Sequence, residues 1–232
     1  MKNKSVTAII LSAGTSLRLT GEVTKQLLKI DGMSVVRRTA TAFASADTIN
    51  DIIVVARVEE IADISREVSD IPKVTAVIAG GSCRAESAKM GFDAVKDRAD
   101  FVAIHDGARC LVTPDIIDRV VSAAIKCGAA SAGTAITDTV KKKDSNLCIV
   151  GTVNRDDLYF TTTPQVFSTD LYKMALDRYK CDLDLVTDDN MLIEAIGGKI
   201  RLVDCGKENI KITTAEDVDY AEFLLKKRKS NA

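Results

Sequence analysis

Continuous apolar runs at 6–11, 52–56, 74–78, 101–105, 131–136 and 200–204 constrain this chain more than any other feature. A strand that is apolar at successive positions has no face to give to water. Such strands belong inside a mostly parallel sheet covered on both sides. Helical patterns fall between the runs. The clearest spans 113–127, where Thr113 suits the N-cap, Pro114 the first turn and Gly128 the position after the C-terminus. Its Ile117, Val120, Val121, Ala124 and Ile125 form one stripe. The last helix opens Thr213-Thr214-Ala215-Glu216, a capping-box pattern, and turns Val218, Ala221 and Leu225 inward. The pattern predicts an α/β fold in one domain over 1–232, with a mostly parallel twisted sheet and helices on both faces.

One segment breaks the alternation. Residues 137–158 are polar and charged, and read as a hairpin turning near Asp144-Ser145-Asn146. It is either a solvated excursion or an arm that reaches a neighbouring subunit. The basic end, Lys226-Lys227-Arg228-Lys229, reads as a solvated helix terminus.

Charge excludes some partners. Lys and Arg number 32 against 33 Asp and Glu, so no bulk field draws the chain to nucleic acid or a membrane. No run approaches the roughly 20 apolar residues of a membrane span, and the first residues show no export core. The 6 cysteines form no C-x-x-C pair and the single His leaves no Cys/His zinc set, which predicts reduced thiols and a cytoplasmic protein. Trp is absent, against a stacking platform for single strands.

The first strand feeds a turn, Leu11-Ser12-Ala13-Gly14-Thr15-Ser16-Leu17-Arg18, with Lys25 and Gln26 soon after. It matches neither the P-loop nor the dinucleotide pattern. Small residues followed by fixed cations still suit a triphosphate, which needs N–H groups and positive charge. In open α/β sheets ligands lie beyond the carboxyl ends of the strands. The unusual residues fall at those ends: Gly80-Gly81-Ser82-Cys83-Arg84, His105-Asp106-Gly107-Ala108-Arg109, Thr163-Pro164-Gln165, Thr187-Asp188-Asp189 and Asn209-Ile210-Lys211-Ile212-Thr213.

Asp106 is either a loop cap or a carboxylate that meets Mg²⁺ on a triphosphate. Arg109 offers a planar fork for a phosphate, or a surface ion pair. His105 reads as a residue oriented within the strand end rather than a catalyst. Arg18, Lys25 and Lys211 each sit beside a turn at a strand end, and together suit transfer to phosphorus, which needs positioning and charge neutralisation. An attacking phosphate has a second pKa of about 6 and needs no protein base. Arg155, Thr163, Thr187, Lys211 and Thr213 suit a phosphorylated polyol, with helix caps as the plain alternative for Thr187 and Thr213.

Taken in order, Ala13-Gly14 with Arg18, Lys25-Gln26, Gly80-Gly81 with Arg84 and Ser87, His105-Asp106 with Ala108-Arg109, Asp138-Thr139, Arg155, Thr163-Pro164-Gln165 with Phe167, Thr187-Asp188 and Asn209-Ile210-Lys211 form a set. Over nearly its full length the chain resembles the 2-C-methyl-D-erythritol 4-phosphate cytidylyltransferases of isoprenoid precursor synthesis. The resemblance implies a Rossmann-like nucleotidyltransferase with a protruding β-arm that makes a homodimer, acting on CTP with Mg²⁺. It implies that Arg18, Lys25 and Lys211 are catalytic. It places Ala13, Gly14, Gly81, Ser87 and Asp106 at the nucleotide, with Asp106 toward the metal. It places Arg109, Thr139, Arg155, Thr163, Thr187 and Thr213 around methylerythritol phosphate, Thr139 coming from the partner's arm.

The chain departs from the family pattern at Ser16 (usually Gly), Thr24 (usually Pro), Ser82 (commonly Asp), Gly107 (commonly Ala) and Cys110 (usually Pro). Two other readings use the same scaffold. One is a ribitol-5-phosphate cytidylyltransferase, against which Thr187-Asp188-Asp189-Asn190 and Arg155-Asp156-Asp157-Leu158 weigh. The other is a catalytically degraded nucleotide-binding protein, against which retention of Arg18, Lys25 and Lys211 weighs.

Overall fold

The computed structural model describes residues 4–14, 24–95 and 98–230. β1 (Val6–Ser12) is followed by a small hairpin, β2 (Lys29–Ile30) and β3 (Met33–Ser34), and by α1 (Val35–Ala44). Next come β4 (Asp51–Ala56), α2 (Ile61–Val68), β5 (Val74–Ala79), α3 (Arg84–Val95) and β6 (Phe101–Asp106). α4 (Pro114–Cys127) and β7 (Ala129–Ala135) precede a second hairpin, β8 (Val140–Lys143) and β9 (Ile149–Val153). The chain returns through β10 (Tyr159–Ser168), α5 (Thr169–Arg178), α6 (Asn190–Ala195), β11 (Arg201–Asp204) and α7 (Ala215–Ser230).

Every residue of β1 is buried. Its alternate side chains explain the continuous apolar run. Val6, Ala8 and Ile10 pack with Val36, Ala40 and Phe43 of α1 and Val120 of α4. Ile9 and Leu11 point the other way, to Ala88 and Phe92 of α3 and Tyr172 of α5. Each Val, Ile, Leu or Phe among them contributes about 1.5–3 kcal/mol by leaving water, so neither helical layer is dispensable. A smaller cluster seals Ala221, Leu224 and Leu225 of α7 against Ile30, Val35 and Ile212.

Among the described residues seven strands form one sheet, ordered β11-β7-β10-β6-β1-β4-β5, while β2–β3 and β8–β9 are separate pairs. β1 lies parallel to β4 and β6, β4 to β5, and β11 to β7. Within that sheet, among the described residues, β10 alone runs antiparallel, between β6 and β7. Strands were expected at six places and all six are present. β10 was not expected, because Thr161-Thr162-Thr163-Pro164 reads as a turn and Pro cannot donate to a ladder. The sheet accommodates it with a register shift between Thr161 and Gln165.

α4 begins and ends as its sequence indicates. Thr113 Oγ1 accepts from Ile116 N, and Gly128 takes a left-handed φ of 91°. The cap of α7 lies one residue later than expected. Asp217 N donates to Thr214 Oγ1, while Asp217 Oδ2 accepts from the backbone N–H groups of Thr213 and Thr214. Asp is as good an acceptor as Glu at that spacing and is shorter. The 137–158 segment is a hairpin, its turn closed by Asp144 Oδ1, which accepts from Asn146 N and Cys148 N at 2.9 Å each.

Candidate active site

Two adjoining clefts open beyond the carboxyl ends of β1, β5 and β6. The chain proceeds from β1 to β4 and β5 on one side, then crosses to β6 on the other, so these clefts sit at the topological switch point. The first, of about 290 Å³, is walled by Leu11, Ala13 and Gly14 after β1, by Gly81 to Arg84 and Ser87 at the β5–α3 turn, and by Lys25, Gln26, Asp106, Ala108 and Lys211. The second, of about 280 Å³, is walled by Thr161, Thr162, Thr163 and Gln165 of β10, by Thr187 and Asp188, and by Arg109. Arg84, Asp106 and Lys211 line both.

Close approach builds the first cleft. A Cβ on Gly80 would lie 2.6 Å from Ala13 Cβ and 2.7 Å from Ser87 Oγ, so only glycine lets the β5–α3 turn close against the end of β1. Ser87 Oγ accepts from Gly81 N at 3.1 Å and donates to Cys83 O at 2.9 Å. Its donor is thereby spent, and its remaining lone pair can only accept. Lys25 is nearly buried and, among the described residues, has no ion-pair partner in direct contact. Burial, then the nearby Lys211, lowers its pKa, with Asp106 and Asp217 opposing.

Asp106 is the electrostatic centre. Its Oδ1 meets Arg84 Nε at 3.0 Å, and its Oδ2 meets Lys211 Nζ at 3.1 Å and Arg109 Nε at 3.4 Å. Burial pushes its carboxyl up, but Arg84, Lys211 and Arg109 outweigh burial and hold it well below the usual carboxylate range. It stays ionised at any working pH. Arg84 also reaches Asp189 Oδ2 at 2.7 Å, so one guanidinium joins two carboxylates.

His105 is fully buried, and burial lowers its pKa to about 3. Arg109 O can only accept, so the ring nitrogen facing it must donate; Nδ1 then accepts from the Thr163 hydroxyl at 3.0 Å, and Thr163 Oγ1 accepts in turn from Asp106 N, also at 3.0 Å. The imidazole proton is therefore on Nε2, facing Arg109 O at 3.3 Å. A neutral ring saturated in this way orients the strand end and moves no proton. In the second cleft, Asp188 Oδ2 accepts from Thr161 Oγ1, Gln165 Nε2 and Asn190 Nδ2. Thr162 Oγ1, on the same wall, is buried and has no hydrogen-bond partner among the described residues.

The structure therefore gathers Ala13, Gly14, Lys25, Gly81, Ser87, Asp106, Arg109, Thr163, Thr187 and Lys211 around the two clefts. Arg18 lies outside the described residues, as does Ser16. Thr139 and Arg155 are exposed, and neither they nor Thr213 line a cleft. Arg155 donates to Thr137 O, and Thr213 Oγ1 donates to Asp217 Oδ2 at 2.6 Å. The sequence reading gave no role to Arg84, Thr162 or Asp189. A signal existed for Arg84, which follows Gly80-Gly81 at a strand end, and none singled out Thr162 from its neighbours.

Among the described residues no cluster of three or more His, Cys, Asp or Glu side chains is placed to hold a metal ion. Among them too, no helix is long and apolar enough to cross a membrane. Mg²⁺ characteristically takes one or two carboxylates plus substrate phosphates. Asp106 fits that habit, because among the described residues its Oδ1 has a single protein partner and its side chain lines both clefts.

The family model for 2-C-methyl-D-erythritol 4-phosphate cytidylyltransferase matches residues 6–227. A protein of that name from Alkaliphilus oremlandii is 35% identical over 99% of this chain and 99% of its own length. One from Lachnospira eligens is 36% identical over 95% of this chain and 99% of its own. The crystal structure of 4-diphosphocytidyl-2C-methyl-D-erythritol synthase from Anaerococcus prevotii superposes with a TM-score of 0.84 at 29% identity, covering 97% of both chains.

Proposed function

The chain belongs to the 2-C-methyl-D-erythritol 4-phosphate cytidylyltransferase family, and from its paired clefts we propose how it works. The protein is a nucleotidyltransferase that moves CMP from CTP to 2-C-methyl-D-erythritol 4-phosphate, releasing pyrophosphate and CDP-methylerythritol, in isoprenoid precursor synthesis. A phosphate oxygen of the polyol attacks the α-phosphorus of CTP, and the bond to the bridging oxygen of pyrophosphate breaks in line. The observation that carries the arrangement is the sharing of Arg84, Asp106 and Lys211 between the clefts. Groups held in adjoining pockets meet at that shared wall.

In this reading CTP occupies the first cleft, its cytidine against Ala13, Gly14, Gly81 and Ser87. The spare lone pair of Ser87 accepts from the exocyclic amine of cytosine, and uracil offers no donor there. Lys25, with Arg18, faces the triphosphate. The polyol phosphate occupies the second cleft beside Arg109, Thr163 and Thr187. Lys211 bridges the two and helps neutralise charge at the crowded phosphorus. Asp106 is the residue placed to touch Mg²⁺ carried by the triphosphate. Such an ion, when bound, neutralises phosphate charge. The chain acts as one domain in the cytoplasm, as a homodimer in which Thr139 and Arg155 reach the second cleft from the other copy's arm. The exposed apolar residues of that region, Leu147 at 74%, Ile149 at 68% and Phe160 at 60%, support an interface there.

Pyrophosphate release measured over a panel of polyol phosphates and nucleotides tests this. Turnover should peak with methylerythritol phosphate and CTP, and UTP should fall behind by several powers of ten in kcat/KM. Equal values for CTP and UTP would overturn the role given to Ser87 and its turn. Preference for ribitol 5-phosphate would overturn the polyol assignment.

A further inference from the structure

Beneath the boundary of the two clefts lies a fully buried carboxylate that the transfer scheme does not use. Asp189 Oδ1 accepts from the Tyr172 hydroxyl at 2.6 Å, and Oδ2 accepts from Arg84 Nη1 at 2.7 Å. The Asp189 N–H donates to Gln165 Oε1 at 2.9 Å, tying its loop to β10. Tyr172 is fully buried too, its ring 5.0 Å from that of Phe92 and 5.4 Å from that of Phe167. Burial, with Asp189 beside it, raises the phenol well above its ordinary pKa, so it remains a donor.

Fold stability alone does not call for this arrangement, because buried ion pairs exchanged for apolar side chains are often neutral or stabilising. What it does achieve is a fixed guanidinium. Arg84 is held at Nε by Asp106 and at Nη1 by Asp189. Among the described residues its Nη2 has no protein partner. The side chain lines both clefts, and a planar fork of N–H groups is the natural match for phosphate oxygens. Without Asp189 the Asp106 pairing would remain, but the plane of the fork would be free to rotate.

We infer that Asp189 is a positioning residue for cytidylyl transfer: with Tyr172 it clamps Arg84 so that the remaining N–H groups contact phosphate oxygens where the clefts meet. The role rests on the transfer reading given above. It makes Arg84 a substrate-binding residue common to both substrates, and Asp189 a residue that acts only through it.

The test is a double-mutant cycle on the full chain, with kcat and KM for CTP and for methylerythritol phosphate, and with melting temperature in parallel. Asp189→Asn keeps the shape and removes the charge. It should lower kcat/KM by about 10²-fold, the penalty of a misplaced group, with KM raised for both substrates. Asp189→Glu should restore part of the loss. In an Arg84→Ala background, Asp189→Asn should change kcat/KM by less than about twofold, because the residue it acts through is gone. Tyr172→Phe removes one hydrogen bond and no charge. It should act in the same direction by roughly three- to tenfold, and it carries the same cycle should Asp189→Asn fail to fold. Additive losses in the cycle, or a lower melting temperature with kcat/KM unchanged, would overturn the role. Wild-type turnover is measured first: its absence would overturn the transfer reading and this role together, whereas additivity in an active wild type overturns the role alone.

Discussion

The junction between the clefts and the β8–β9 arm are built from the same kinds of residue, Arg, Lys, Asp and Thr, in opposite circumstances. At the junction Asp106 is buried and meets three cations, and Thr163, His105 and Arg109 close a hydrogen-bonded chain behind it. Among the arm's pairings, Lys141 Nζ meets Thr152 Oγ1 at 2.7 Å in the open, and Arg155 answers to Thr137 O, also in the open. Apolar side chains show the reverse contrast. They are covered beneath the junction, whereas Leu147, Ile149 and Val150 face solvent from the arm. One region is preorganised by its own chain. The other has both its polar and its apolar groups available to a second molecule. A low-dielectric, prearranged group acts strongly on developing charge, while an exposed pair contributes at most about 1 kcal/mol.

The largest expected effect is on the junction side. Lys25 is nearly buried and, among the described residues, has no direct ion-pair partner, so its charge is unspent until substrate arrives. Lys25→Ala should reduce kcat by on the order of 10²-fold or more while changing CTP affinity little, because the charge matters most when the α-phosphorus is crowded. Steady-state kinetics alongside equilibrium CTP binding measure the split. Near-normal turnover would remove Lys25 from the mechanism and erase the contrast between the regions.

The arm comes second. Deleting residues 141–150 removes Ile149, Val150 and the turn without touching the sheet. The expected product is a folded monomer with activity down roughly tenfold or more, which is about 1.4 kcal/mol of transition-state stabilisation. Sedimentation and the pyrophosphate assay on one preparation check both halves. A fully active monomer would mean that Thr139 and Arg155 serve no second copy's cleft.

Legibility in the sequence follows the same division. The parallel strands were readable because burial on both faces leaves continuous apolar runs, as in β1. The clefts followed from where those strands end, and Gly81, Asp106 and Lys211, each read beside a turn at such an end, line one opening. β10 was not readable, since Pro164 and three threonines signal a turn until β6 and β7 are known to flank them. Asp189 was visible beside Asp188 and Thr187, yet nothing local separates a carboxylate clamped under a cleft from a helix cap. Only the approach of Tyr172 and Arg84, far off in sequence, makes that distinction. The arm's form was legible and its partner was not, because a hairpin's outward face is specified by whatever it meets.

Burial at the junction also predicts a pH signature. His105 binds its proton with a pKa of about 3 in the fold, lowered chiefly by burial and further by Arg109 and Arg84, with Asp106 opposing. In the unfolded chain the value is near 6.5. Between these values the unfolded state binds more protons, so stability rises with pH there and is lost on acidification. The His105 contribution should fall by about 1 kcal/mol from pH 6.5 to 5.5. Asp106 titrates far below this window in the fold and below 4 when unfolded, so it does not confuse the measurement. Urea melts of the wild type and His105→Gln at both pH values give the difference. Equal pH slopes in the two proteins would mean that the imidazole is not held neutral.

The smallest effect concerns how tightly the junction was assembled. Gly107 is one of the positions where the chain departs from the pattern it resembles, which leads one to expect Ala there. A Cβ there would lie 2.4 Å from Ser12 Oγ, 2.9 Å from Leu11 O and 3.1 Å from Gln26 Oε1. Ser12 Oγ is itself buried and has no partner among the described residues, so the hydroxyl fills the space a methyl would take and gains no hydrogen bond there in return. Gly107→Ala alone should destabilise by about 1 kcal/mol, the low end for overpacking, because one neighbour is a side chain that can change rotamer. Ser12→Ala alone removes an unsatisfied polar group and should be close to neutral. Together the two should fit better than their sum, with coupling of about 0.5–1 kcal/mol, since the methyl enters the space the hydroxyl leaves. Denaturant midpoints for the four proteins measure the cycle. Simple additivity would mean that Leu11 O, a backbone atom the second substitution cannot move, sets the limit, and that the junction tolerates glycine for a reason unrelated to Ser12.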